Sequence, residues 1–281
     1  MDQYSYQIGN LLLGNPEHSA SLEVTLQGFI IESILSVEIA ITGGNLNPYL
    51  NGSPAPLWVP FIMKKRDVLH FKQRKDGLRA YLAVRGGFDV PEFLGSKSTF
   101  VRGKIGTTLK EGDILSTGHF DETKCNKATI LPKEFIPVFG HENPVRVLIG
   151  PQNEYFTRKG VETFLTSAYR LSSKSDRQAC RTEGPAIEIS KGPGIITDPT
   201  PLGAVQVPGD GKPIILLRDS QVTGGYAKIA TVASVDLDRL GQIMPGEVIR
   251  FKQIGRKEAI ALLFEKRKRL NDLKSFCLTS R

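Results

Sequence analysis

The sequence predicts a mainly β fold with a few helices, and three observations carry the prediction. The 28 glycines and 17 prolines punctuate the 281 residues at short intervals, which suits many turns and short strands better than a helical bundle. Between them apolar residues alternate with a period of two, as in Ser21-Leu22-Glu23-Val24-Thr25-Leu26 and Val37-Glu38-Ile39-Ala40-Ile41-Thr42. A turn-acid-strand phrase also recurs, as Arg66-Asp67-Val68-Leu69, Gly112-Asp113-Ile114-Leu115 and Gly246-Glu247-Val248-Ile249. The copies from Asp67 to Phe71 and from Glu247 to Phe251 match furthest, the trace that two similar β-rich halves would leave.

Taken in order, the chain opens on a short helix. Asp2 is placed to cap it, Ile8, Leu11 and Leu12 share a face, and Gly14 closes the end. Asn51-Gly52 signals a two-residue hairpin between Tyr49-Leu50 and the run from Leu57 to Met63. Asp67 to Phe71 and Arg79 to Val84 continue the strands, and Phe120 to His141 is polar enough for a boundary. Asn153 to Ala168 reads as a helix, and the Gly- and Pro-rich stretch from Lys191 to Lys212 as loops that carry function. Ile214 to Leu217 and Lys228 to Val232 are buried strands, and Ser234 caps a short helix ending near Leu240. The organisation expected is a first β half over 1–135, a second over 136–255 and a C-terminal basic helix over 256–281.

A hydrophobic content of 40% is enough for a sizeable core. No run approaches the roughly 18 apolar residues of a membrane span, and the start lacks a secretory leader. Three dispersed cysteines, Cys125, Cys180 and Cys277, fit a reducing cytoplasm. The formal charge of +8 is concentrated after Arg256, where eight basic and three acidic residues fall around Lys266-Arg267-Lys268-Arg269. Ile260, Leu263, Phe264, Leu270 and Leu273 recur there at helical spacing, so the run reads as the solvated face of a docked helix; a polyanion-binding patch is the alternative. No nucleic-acid partner and no membrane contact are expected.

Several chemistries lack their residues. Gly95-Ser96-Lys97-Ser98-Thr99 imitates the end of a phosphate loop, but Ser96 stands where that loop needs glycine. No Gly-x-Ser-x-Gly elbow occurs, the four histidines stand singly and no Cys-x-x-Cys exists, so no metal site is expected. No biotin-attachment sequence is present. Three phrases place glycine pairs beside short polar side chains, where a backbone can approach a ligand closely: Ala80 to Pro91 leading into Gly95-Ser96-Lys97-Ser98-Thr99, Gly203 to Ile214, and Asp219 to Tyr226 followed by Pro245-Gly246-Glu247.

These phrases, with Ile41-Thr42-Gly43-Gly44, Gly150-Pro151-Gln152 and Ser175-Asp176-Arg177, resemble the family of the 5-oxoprolinase C subunit over about Met1 to Ile254. That family is also called the antagonist of the histidine-kinase inhibitor, or allophanate hydrolase subunit 2, and is related to the carboxyltransferase region of urea carboxylase. The resemblance implies two cyclophilin-like β-barrel halves. It also implies partner A and B subunits, a small lactam or amide substrate, and ATP-dependent opening of 5-oxoproline to glutamate. ATP enters at the level of the complex. An amide is a poor electrophile, and phosphorylating its oxygen creates a leaving group before water attacks, so the site needs groups that hold a planar amide and a phosphoryl oxygen.

On that reading the catalytic candidates are Asp219, as proton acceptor or partner of an amide N–H, with Gln206 and Tyr226. Ser96, Ser98, Thr223 and Arg177 would contact substrate, and Gly86, Gly87, Gly224 and Gly225 would shape the backbone. The plainer readings are that the glycine pairs make turns, that Ser98-Thr99 caps a helix, that Gln206 and Asp219 satisfy loop amides, and that Arg177 pairs with Asp176 or Glu183. Family members begin earlier, so the resemblance implies that a first strand and a loop are lacking before Met1-Asp2-Gln3. Lys97 stands where Arg is usual, Val222 and Ala227 where Thr and Pro are common, and Gln178-Ala179-Cys180-Arg181-Thr182 where Met-Gly-Tyr-Arg-Leu is preferred. The alternative functions are a regulatory protein that antagonises a kinase inhibitor, and the carboxyltransferase component of a biotin-dependent urea or amide carboxylase.

Overall fold

The computed structural model describes residues 1–26, 28–106, 108–118, 130–139, 144–192 and 194–279. Most of the expected boundary from Phe120 to His141, and Cys125, lie outside the described residues. The chain divides into two compact units, Asp2–Val138 joined by the residues from Arg269 onward, and Phe139–Lys268 joined by Met1.

In the first unit, helix α1 (Gln3–Leu12) begins where Asp2 accepts from the Ser5 N–H at 3.0 Å, and Gly14 follows it at φ +74°. Strands β1 (Leu22–Thr25), β2 (Ile30–Glu32), β3 (Val37–Gly43), β4 (Pro48–Leu50), β5 (Ser53–Pro54), β6 (Pro60–Met63), β7 (Val68–Phe71) and β8 (Arg79–Val84) form two four-stranded sheets, ordered β1-β8-β3-β6 and β2-β7-β4-β5. The short β9 (Phe88–Asp89) and β10 (Ser116–Thr117) pair separately. Ile39, Ile41 and Leu82 from one sheet pack with Leu69 and Phe71 from the other. Because α1 lies against β3 and β8, those two strands are buried almost throughout, and their alternation gives way to continuous burial.

The Asn51-Gly52 turn forms with both residues at positive φ, as a tight hairpin requires, but it closes on β5 and not on the run from Leu57. A two-residue turn leaves only immediate neighbours in register, so Tyr49 meets Pro54, while β6 pairs with β3.

In the second unit, β11 (Val145–Ile149), β12 (Ala168–Leu171), β13 (Ala179–Glu183), β15 (Ala204–Gln206), β16 (Ile214–Leu216), β18 (Lys228–Val232) and β19 (Val248–Gln253) close a seven-stranded barrel. Its order is β11-β18-β15-β16-β13-β12-β19, and the parallel pairing of Val145 with Phe251 completes the ring. Val147, Tyr169, Cys180, Val205, Ile215, Ile229 and Phe251 share its core. Strands β14 (Gly194–Pro199) and β17 (Thr223–Tyr226) form a separate two-stranded ribbon.

The helices of this unit are shorter than expected. Asn153–Tyr155 is a 3-10 turn, and α2 (Arg158–Thr166) starts only where the Thr157 hydroxyl accepts from the Gly160 N–H at 2.9 Å. Ser234 caps nothing: a 3-10 turn over Ser234–Asp236 leads into α3 (Leu237–Leu240), and the Asp236 carboxylate is spent on Arg146. The stretch from Lys191 to Lys212, expected to be loops, contains β14 and β15; its glycines and prolines bound the strands instead of preventing them. The basic helix α4 (Arg256–Thr279) forms, and along the expected apolar stripe Leu273 is buried whereas Ile260 and Phe264 are exposed.

The repeated phrase is one turn built three times. The side chains of Asp67, Asp113 and Glu247 accept from the backbone N–H three residues back, at Lys64, Lys110 and Met244, over 2.7, 2.8 and 2.7 Å. The residue before each acid, Arg66, Gly112 or Gly246, has positive φ.

Candidate functional site

The predicted residues fall into two groups, one in each unit. In the first unit Gly86 and Gly87 follow β8 at φ +82° and +74°. The Gly86 N–H donates to Asn15 Oδ1 at 2.8 Å, and Asn15 Nδ2 donates to the Val84 carbonyl at 2.8 Å. A Cβ on Gly86 would lie 3.1 Å from Gly118 Cα, so the glycine also admits a close backbone approach. Asn15, which sequence reasoning passed over, is the buried amide that holds this turn. Ser96 and Ser98 lie on an exposed turn, where the Ser96 hydroxyl accepts from the Ser98 N–H at 3.2 Å, and neither caps a helix.

The second unit gathers more. Along β13, β15 and β16 alternate residues face opposite sides: Cys180, Val205 and Ile215 enter the barrel core, while Ala179, Ala204 and Leu216 cluster on the outer face with Ile214 against them. Ile214 pairs with both Arg181 and Gln206, so these two long side chains belong to one row across three strands. A cleft of about 340 Å³ opens there, with an apolar floor of Ala179, Ile214 and Leu216 and a rim that includes Gln178, Arg181 and Gln221. Gln206 and Tyr226 line it as well. Its volume suits a small molecule.

Gln206 is 2% exposed, and its Nε2 donates only weakly, at 3.4 Å, to the Tyr226 carbonyl. Gly224 of the ribbon crosses directly beside it: a Cβ there would stand 2.7 Å from Gln206 Nε2. The ribbon is held by a polar triangle. Buried Lys228 Nζ donates to Asp198 Oδ2 at 2.6 Å, Gln152 Nε2 donates to the same oxygen at 3.2 Å, and Gln152 Oε1 accepts from the Lys228 N–H at 3.3 Å. The Lys228 hydrogen bond is the main cause that lowers the pKa of Asp198 from its ordinary value, with the ammonium charge adding to it.

Arg177 pairs with Asp219: its Nε lies 2.9 Å and its Nη2 3.4 Å from the two carboxylate oxygens. Asp176 instead accepts from the Gln178 and Ala179 N–H groups at 2.8 and 3.0 Å. The Asp219 N–H donates to the Arg177 carbonyl at 3.0 Å, and Gln178 Nε2 donates to Gln221 Oε1 at 3.2 Å. The Arg177–Asp219 pair thus ties together the two segments that carry Gln178 and Gln221 to the rim. Neither Arg177, Asp219 nor Thr223 lines the cleft; Thr223 is exposed on β17, and Gly225 is half-buried beside Gly224.

Residues missed by sequence reasoning are Gln178, Arg181, Gln221 and the Gln152–Asp198–Lys228 triangle. Strand alternation places Arg181 opposite in face to Cys180, but no pattern in the chain says which outer face is roofed by a ribbon. Among the described residues lining the cleft, none is a serine, cysteine or histidine. The arrangement presents amide donors and acceptors, a phenol and a guanidinium around an apolar floor, which suits holding a planar polar ligand.

The carboxyltransferase domain family, subdomains A and B, matches residues 1–253. The chain belongs to that family. It is 33% identical over 266 residues to the C subunit of 5-oxoprolinase from Haemophilus influenzae, covering 93% of this chain and 84% of that one. It is 32% identical to urea amidolyase of Saccharomyces cerevisiae over 89% of this chain but only 15% of that enzyme. The solved K. lactis urea amidolyase superposes with a TM-score of 0.88 at 29% identity, covering 98% of this chain and 18% of that one. The structure of TTHA0988, of which the chain spans about half (48%), gives a TM-score of 0.81 at 33% identity. Relatives in this family are therefore named either as a subunit of an enzyme or as an enzyme.

Proposed function

We propose that this chain is the C subunit of an ATP-dependent 5-oxoprolinase that acts with A and B subunits in the cytoplasm, and that the cleft beside Gln206 holds the lactam. The observation that carries the reading is the alignment with the C subunit of 5-oxoprolinase, which spans most of both chains. In the reaction the ring C–N bond breaks, the water oxygen joins the carbonyl carbon and the ring nitrogen takes a proton. The Gln206 carboxamide offers one donor and one acceptor side by side, which complements the N–H and C=O edge of a cis lactam. Tyr226 adds a hydroxyl, and the floor of Ala179 and Leu216 excludes water from one face of the ring. Asp219 and Arg177 act behind the rim, by fixing Gln178 and Gln221. ATP is used by the complex.

The fold shared with urea amidolyase supports a second reading, a carboxyltransferase component acting on urea or a related amide with biotin carried on another chain. Coexpression with candidate A and B subunits, followed by 5-oxoproline-dependent ATP hydrolysis, tests the first reading. Turnover that vanishes when this chain is left out supports it. Silence with 5-oxoproline, but biotin-dependent carboxylation of urea by a complex containing this chain, would replace it with the second.

A further inference from the structure

We infer that Arg181 is the carboxylate anchor of the outer-face cleft, so that the cleft selects an amide bearing a negative carboxylate over a neutral one; this rests on the 5-oxoprolinase reading. Among the described residues lining the cleft, Arg181 is the one basic residue. Of the cations close by, Arg177 is engaged by Asp219 and Lys228 by Asp198. The guanidinium of Arg181 has no ion-pair partner among the described residues, whereas its backbone is fixed on both sides. Its N–H donates to Ser175 Oγ at 3.0 Å, and its carbonyl accepts from the Ser172 N–H at 2.9 Å. The acidic member of the lining, Asp210, accepts from the Lys212 N–H at 3.1 Å in the turn that follows Pro208.

The register sets the span. Arg181 and Gln206 flank Ile214 on neighbouring strands, so their backbones stand two strand spacings apart, roughly 10 Å. Two long side chains reaching inward from that distance leave room for a ligand a few ångström across. One end would meet the Gln206 amide and the other the guanidinium fork, which grips a carboxylate through two parallel N–H bonds. A neutral amide of the same size would leave the guanidinium without that partner.

The test uses the complex assembled with A and B subunits, comparing 5-oxoproline as substrate with 2-pyrrolidinone, the same ring without its carboxylate, as competing inhibitor. Arg181→Gln is expected to raise KM for 5-oxoproline about ten-fold or more, the scale of a lost charge-assisted pair. The inhibition constant of 2-pyrrolidinone should stay within about two-fold, because that ligand never used the charge. Arg181→Lys should fall between, keeping the charge without the fork. Parallel weakening of both ligands would show a merely structural role and overturn the anchor, as would an unchanged KM in Arg181→Gln. If the wild-type complex turned over no 5-oxoproline, the functional reading would fail and this inference with it. Inhibition by 2-pyrrolidinone alongside an insensitive KM would remove the anchor alone.

Discussion

Gly224→Ala isolates the cleft from the fold. Gly224 has no positive φ, so alanine is sterically allowed by its own backbone, and the difficulty is two side chains, Gln206 most of all. The added methyl would lie 2.7 Å from Gln206 Nε2 and 3.1 Å from Thr200 Cγ2. Restoring ordinary contact at about 3.5 Å requires the Gln206 amide to retreat by roughly 0.8 Å, which the end of a flexible side chain can do cheaply. Stability should therefore change by less than about 1 kcal/mol, the strand's gain from losing a glycine partly offsetting the displaced amide. Activity should respond far more, because a group misplaced by about an ångström can cost roughly a hundred-fold in rate. Gly225→Ala is the internal control: its methyl would meet nothing closer than the Ile195 carbonyl at 3.6 Å, an ordinary contact. Urea denaturation with 5-oxoproline-dependent ATP hydrolysis on both variants reads the two effects separately. Full kcat/KM in Gly224→Ala, or equal losses in the two variants, would refute the assignment of Gln206 to the substrate.

Three further outcomes follow from the geometry. Asp219→Asn should cost less than about 1 kcal/mol, since the Arg177 pair is partly exposed, and should lower turnover no more than about ten-fold through loosening of the rim; a loss of 10²–10⁴ would make Asp219 a proton-transfer group instead. Asp236→Ala should destabilise by about 3 kcal/mol in chemical denaturation, because this buried carboxylate takes the Arg146 N–H at 2.7 Å and its Nε at 3.0 Å while Arg146 keeps some solvent; a change under about 1 kcal/mol would contradict the account. Tyr169 is fully buried, and burial pushes its hydroxyl up to about 12. A folded-state pKa above the unfolded value of about 10 means stability present below pH 10 and lost as pH rises through 12, up to about 2.7 kcal/mol, so Tyr169→Phe should flatten this alkaline limb; an unchanged limb would place the effect elsewhere.

Much of the fold was legible because it is local. Period-two alternation places Leu22–Thr25, Val37–Gly43 and Val68–Phe71 in strands, Asp2 and Gly14 bound the first helix, and Asn51-Gly52 favours the positive-φ turn it adopts. The turn-acid-strand phrase is also local: an acid that bonds three residues back after a residue at positive φ needs no distant partner. Glycine and proline counts did not foretell β14 and β15, because such residues mark the ends of strands as readily as loops.

Gln206, Tyr226 and Gly224 were found as unusual phrases, but the tertiary structure alone decided what they do together. Closure of the barrel brings β13 beside β16, which sets Arg181 and Gln206 in one row although they are 25 positions apart. The ribbon then roofs that row, held by Lys228 and Asp198. Likewise Arg177 carries a charge that sequence reasoning offered to a ligand, while the fold gives it to Asp219. Alternation and turn chemistry act within a few residues, so the chain itself determined the elements and many of the residues worth watching. Which side chains face one another across strands, and which charges are left uncompensated, depends on register between distant segments, and that is set only by the closed barrel.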